Sequence, residues 1–359
     1  MKTKFTLLPL LGCALLLLLQ GCSLSSHPLG KHAPGKATGS AEMERLLSQP
    51  GTIRLQTINS ADWSVPLSGL LNLDRPAAKQ AGLKNRDEPI QVYAHLLQHP
   101  QFGNYLVDTG VSQKLVDDPG KEGVSWLIQK VMHTEKIQPR KSTSAIQQDM
   151  EGKLAGVLFT HLHLDHITGL PDIANDVPLY VGATEATATS FKNMFIRSTT
   201  DQLLANKQPL QEWHFTPDPQ QKFEGIIDVF ADGSVFALSV PGHTPGSVAF
   251  LVRTTQGPVL LTGDTSHTRW GWENTVEPGD YTDDNERNLA SLKQLKALVA
   301  RHPNIEVRVG HQHYTVVRNL DYSLSGGGTR PLPTPLPHAG EGGAQRRERG
   351  VHIVANISD

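Results

Sequence analysis

Thr160-His161-Leu162-His163-Leu164-Asp165-His166 sets three imidazoles and a carboxylate directly behind the apolar run from Leu154 to Phe159. An apolar run that stops in closely spaced nitrogen and oxygen donors reads as a strand delivering ligands to the edge of a sheet. Imidazole and carboxylate together suit zinc, and iron or manganese accept the same donors. With 16 histidines among 359 residues, an H-x-H-x-D-H pattern is a rare coincidence, so a solvated histidine turn is a poor account of it.

The same arrangement recurs on either side. Ile90 to Leu97 and Tyr105 to Val107 read as strands, the second running into Asp108-Thr109-Gly110. Val235 to Val240 leads into Gly242-His243-Thr244-Pro245-Gly246, and Val259 to Leu261 leads into Thr262-Gly263-Asp264-Thr265. Ile305, Val307 and Val309 alternate before Gly310-His311-Gln312-His313. Loops at the ends of neighbouring strands can gather residues that are distant in sequence, and Gly242, Gly263 and Gly310 allow tight turns and close backbone approach there. Leu289, Leu292, Leu295 and Leu298 form the apolar stripe of a helix from Asn285 to Arg301, which ends before Pro303.

Composition narrows the chemistry. Cys13 and Cys22 are the only cysteines and lie at the N-terminus, so any metal in the folded domain is held by nitrogen and oxygen. A formal net charge of -2 with both signs interspersed shows no global basic field, and no nucleic-acid partner is expected. Lys2 and Lys4 precede an apolar stretch from Phe5 to Leu19, too short to span a bilayer comfortably and placed as an export signal. Residues 1–21 are therefore read as a signal peptide. Residues 22–48, rich in Ser, Gly, Pro and Lys, are read as a flexible tether, and 323–359 as a disordered tail. That leaves 49–322 as one α/β domain.

The ordered set of motifs resembles the metallo-β-lactamase superfamily of hydrolases, over about Thr52 to Thr315. The resemblance implies a four-layer αββα sandwich with two divalent metal ions at the open edge of its sheets. Carried over motif by motif, His161, His163 and His243 would bind one metal and Asp165, His166 and His311 the other. Asp264 would bridge them, with Asp108 in support; His313 is the alternative to His311. The implied activity is that of a dinuclear metal-dependent hydrolase. A metal-activated hydroxide attacks an ester or lactone carbonyl, and Asp165 is the catalytic residue that orients it or handles a proton.

Asp264, where many β-lactamases of the superfamily carry cysteine or serine, resembles the aspartate of lactonases, glyoxalase-II-type thioesterases and phosphodiesterases, and an acyl-homoserine lactone is the leading small-molecule substrate. A phosphodiesterase, a β-lactamase, a thioesterase of the same superfamily and a non-catalytic metal-binding lipoprotein are the alternatives. Trp63, in a loop-like stretch from Asn59 to Pro66, and Trp270 and Trp272, after Asp264, are candidate pocket walls, and His267 is placed either in the pocket or on the surface.

The segment Leu19-Gln20-Gly21-Cys22-Ser23 resembles a bacterial lipoprotein signal, which implies lipidation of Cys22 and a membrane anchor. Ser23 is not acidic, and in that resemblance this implies the outer membrane, facing the periplasm. The tail's Pro-Leu-Pro-Thr-Pro-Leu-Pro resembles translated intergenic repeat sequence, the alternative being a functional basic tail.

Overall fold

The computed structural model describes residues 22–30, 33–190 and 193–312. The signal peptide, the tail at 323–359 and the alternative ligand His313 lie outside the described residues. The strands are β1 (Cys22–Ser23), β2 (Leu29–Gly30), β3 (Lys36–Thr38), β4 (Arg54–Pro66), β5 (Asp87–His99), β6 (Gly103–Val107), β7 (Gln138–Pro139) and β8 (Leu154–Leu158). They continue with β9 (Leu179–Val181), β10 (Thr189–Ser190), β11 (Leu210–Glu212), β12 (Ile226–Asp228), β13 (Val235–Ser239), β14 (Val248–Thr254), β15 (Gly257–Leu261) and β16 (Glu306–Arg308).

Two mixed sheets result. One runs β2-β11-β9-β8-β6-β5-β4-β7 and the other β16-β15-β14-β13-β12-β3, while β1 and β10 form a separate pair. Side-chain alternation along the strands makes these sheets into a sandwich. On β14, Val248, Phe250 and Val252 join an apolar cluster with Leu97, Val107 and Leu158 of the other sheet. The alternate residues Ala249 and Leu251 turn outward onto Leu292, Leu295 and Leu298 of the helix Asn285–Arg301. On the first sheet, Leu106 and Val157 face away from the partner sheet and pack with Ile128, Ile167 and Leu203 of its own helical layer. Strands covered on both faces are apolar without interruption, which is why β14 is buried at all seven positions. The αββα expectation therefore holds, and the helix Asn285–Arg301 has the bounds its stripe indicated, capped by Asp284, whose side chain accepts from the Arg287 N–H at 2.9 Å.

Two expectations need correction. The described part of residues 22–48 is not a flexible tether. β1 pairs with β10, β2 with β11 and β3 with β12, and a helix follows at Ser40–Leu46. The segment carries few apolar residues because short edge strands are held by backbone hydrogen bonds, which leave no hydrophobic period. Asn59 to Pro66 is not a loop either. It is the second half of β4, paired along its length with β5 in a long hairpin, so Trp63 sits on a strand.

Candidate dinuclear metal centre

Every motif lies just past the C-terminal end of a strand. Asp108 follows β6, and Thr160 to His166 follow β8, its parallel neighbour; His243 follows β13, Asp264 follows β15, and His311 follows β16, parallel to β15. Strands that run the same way end at the same edge, so residues spread over half the chain meet at one rim.

They meet as two groups. His161, His163, His243 and Asp264 each offer a ligand atom within 4.8 Å of the others, and Asp165, His166, Asp264 and His311 do the same. Asp264 belongs to both groups. Its Oδ2 lies 3.6 Å from His161 Nε2, 3.4 Å from His243 Nε2 and 3.3 Å from both His166 Nε2 and His311 Nε2. His243 Nε2 and His163 Nδ1 are 2.9 Å apart. His161 Nε2 and Asp264 Oδ1 are buried without a hydrogen-bond partner, a costly state that a cation between the groups would relieve. The donor set is all nitrogen and oxygen, as two divalent ions of the zinc, iron or manganese kind require. The residues present fit such a pair.

Electrostatics favours the same reading. Burial, reinforced by neighbouring imidazoles, pushes His161 and His243 well below the ordinary imidazole range, leaving neutral nitrogens. His166 and His311 go the other way. Burial opposes their charge, but Asp264 outweighs it, with Asp108 beside His166 and Asp165 beside His311, and His311 is carried up to about 10. Asp165 and Asp264 stay below the usual carboxylate range despite burial, held there by His166 and His311. Protons thus occupy places that cations would take, and cation binding would release them.

The surroundings fix the ligands. Asp108 accepts from Thr160 N at 2.9 Å and Thr160 Oγ1 at 2.8 Å, and its Oδ2 lies 2.8 Å from His166 Nδ1. Its φ of 57° lies in the left-handed region, which aspartate tolerates better than most residues. His311 Nδ1 is 2.9 Å from the Gln91 carbonyl, and His243 Nδ1 is 3.2 Å from Thr282 Oγ1. These contacts orient the imidazoles as ligands need. Gly310 is glycine for a steric reason: a Cβ there would lie 2.5 Å from Asp264 Oδ1.

Among the remaining candidates, His267 is buried, not on the surface, and its Nε2 lies 2.9 Å from Asp264 Oδ2 with its ring 5.0 Å from that of His243. Trp63 is buried in an apolar cluster with Leu67, Leu70 and Val111, and its indole N–H donates to the His133 carbonyl at 3.2 Å. Trp270 packs half-buried against the same cluster. Trp272 is corrected from pocket wall to core, because it packs with Leu292 and Leu295 beneath the second sheet.

Glu185 escaped the sequence reading. This fully buried carboxylate accepts from Leu162 N at 2.8 Å, Thr244 Oγ1 at 2.7 Å and Gly246 N at 3.1 Å. It ties the loop of His161 and His163 to the loop of His243. Burial pushes its carboxyl up to about 7. Its only sequence signal is that it lies just beyond β9, the strand-end position that marks the other polar residues.

Comparison with known proteins agrees with the fold. The family model described as "Metallo-beta-lactamase superfamily" matches residues 87–311. An N-acyl homoserine lactonase of a Bacillus species is 29% identical over 226 residues, covering 62% of this chain and 81% of that protein. The N-acyl homoserine lactonase AiiA of Bacillus thuringiensis subsp. kurstaki is 26% identical over 249 residues, covering 68% and 90%. A crystal structure of a B. thuringiensis AiiA variant with N-decanoyl-L-homoserine bound has a similar fold, with a TM-score of 0.54 at 23% identity, over 73% of this chain and 94% of that one.

Proposed function

This chain belongs to the metallo-beta-lactamase superfamily, and from that premise we propose that it is a metal-dependent hydrolase that opens the lactone ring of an N-acyl homoserine or a closely related ester. The observation that carries the reading is the pair of four-residue groups sharing Asp264. The curated relatives named as N-acyl homoserine lactonases support the substrate class.

Two divalent cations, zinc foremost, would supply acidified water near neutral pH and polarise the carbonyl oxygen. His161, His163 and His243 would hold one and Asp165, His166 and His311 the other, with Asp264 common to both. The protein's own residues then do the positioning. Asp108 fixes the ring of His166 through Nδ1, and Glu185 fixes the spacing of the two loops around the first group. Ring opening adds water across the carbonyl and breaks the ring C–O bond, so a proton must pass to the departing alkoxide oxygen. The greater exposure of Asp165, whose side chain is 20% exposed where that of Asp264 is 4% exposed, supports Asp165 for this transfer.

The test is metal-loaded protein assayed against an acyl-homoserine lactone, an aryl ester, a cephalosporin and an aryl phosphodiester. Ring opening of the lactone as the fastest reaction supports the reading. Turnover of the phosphodiester alone refutes it. We also propose that Cys22 carries lipid and holds the protein at the outer membrane, which an intact mass with added acyl groups tests.

A further inference from the structure

We propose that the exposed apolar faces of the helices Trp126–Met132 and Asn193–Leu204, beside Cys22, form a surface that lies against a phospholipid bilayer. The proposal rests on the lipid-anchor reading of Cys22 and is independent of the hydrolase reading.

A lipoprotein with a long tether leaves its domain free to tumble, and the sequence suggested such a tether. The structure removes it. Cys22 and Ser23 pair with Ser190 and Thr189, Leu24 N donates to the Ala188 carbonyl at 3.1 Å, and Leu24 is buried. Asn193 Nδ2 donates to the Cys22 carbonyl at 3.1 Å, fixing Cys22 to the start of the second helix. A lipid on Cys22 would therefore be attached to the folded surface itself, with no slack, and whatever surrounds Cys22 must meet the headgroups.

The helix that holds Cys22 and the helix linked to it carry most of the exposed large hydrophobic side chains among the described residues. Eight large hydrophobic side chains are exposed among the described residues, and five of them lie on these two helices. Trp126 is 74% exposed and Val131 70%, with Leu127 beside them; Met194 and Phe195 immediately follow the asparagine that holds Cys22. The two helices are linked: Thr199 Oγ1 of the second donates to the Gly123 carbonyl at 3.1 Å, and the first helix begins three residues later, within about 10 Å along the chain. Each helix buries its other face, Ile128 in one and Leu203 and Leu204 in the other, so the apolar exposure is a second stripe and not a failed core. Such concentration on two linked helices marks an interaction surface. The highly exposed Trp126 and the exposed Lys130 on the same helix suit the headgroup level of an anionic bilayer.

The experiment uses the full chain, expressed with its leader, purified, checked by intact mass and reconstituted into phosphatidylethanolamine–phosphatidylglycerol vesicles with brominated acyl chains. Bromine carried near the top of the acyl chains quenches tryptophan seated at the boundary between headgroups and acyl chains. The expected result is loss of up to the emission of one tryptophan in five, which disappears in Trp126→Phe. Val131→Asp combined with Met194→Asp should cut the quenching several-fold without changing hydrolysis in detergent. Acylated Cys22 with unquenched Trp126 overturns the membrane surface and leaves the anchor reading standing. Unmodified Cys22 overturns both. Shielding of Trp126 without vesicles, together with a cross-linked dimer, assigns the face to a second copy and also overturns the proposal.

Discussion

Truncating Glu185 to alanine should loosen the first ligand group in a way that depends on pH. The change leaves the N–H groups of Leu162 and Gly246 without their acceptor, whereas the Thr244 hydroxyl keeps Ser247 Oγ at 2.7 Å. Each orphaned buried donor costs roughly 1–3 kcal/mol, so the pair costs about 4 kcal/mol. For a domain of this size that lowers the unfolding midpoint by about 8–16 °C.

The carboxyl is itself raised from 4.5 to about 7 by burial, so the folded state binds its proton more tightly than the unfolded chain does. The resulting stabilisation is complete below pH 4.5 and is lost as pH rises through 7, a change of about 3 kcal/mol that alanine cannot show. Measured by urea unfolding of chelator-treated protein, Glu185→Ala should therefore cost about 4 kcal/mol at pH 5 but only about 1 kcal/mol at pH 8. Zinc affinity of the first group should also fall, roughly 10–100-fold as for other residues that orient ligands. A cost that is equal at both pH values, or larger at pH 8, would falsify the account, because the carboxylate would then be favoured as an anion by its three donors.

Asp165→Asn should keep the fold and lower turnover per bound metal by roughly 10²–10⁴-fold, and near-normal turnover in a metal-replete variant removes the proton-handling role. Gly310→Ala places a methyl against Asp264 Oδ1, at 2.5 Å before relaxation, and should weaken metal retention roughly tenfold or more in equilibrium dialysis; undiminished retention means the carboxylate has room to spare. Trp272→Ala should cost ~3–5 kcal/mol in stability with KM unchanged, since the side chain is in the core, and a raised KM with normal stability would return it to the pocket. Zinc at about 1,000 times its Kd should add about 4 kcal/mol to stability over the chelated protein, and coincident melting curves argue against the ligand assignment.

Most of the centre was legible because strand ends announce themselves. Apolar runs stopping at Asp108, His161, His243, Asp264 and His311 show both where the strands end and where the donors are. What escaped left no such mark. Glu185 is a single acid in a loop, and its importance comes from two backbone N–H groups far from it in sequence. Cys22–Ser23, Leu29–Gly30 and Lys36–Thr38 are held through main-chain pairing, which side-chain pattern does not encode. The second half of β4 did carry its signal, with Ala61, Trp63 and Val65 alternating with Asp62 and Ser64, but the serines and Asn59 gave it the composition of a loop.

The order of ligands along the chain fixes the order in which the two seats can be completed. The first quartet is complete in sequence once Asp264 has emerged from the ribosome, but the second waits for His311, just beyond the last strand described. Chain termination in the intervening stretch would leave the second seat without His311. Occupancy of both seats therefore reports that synthesis ran past the last strand described.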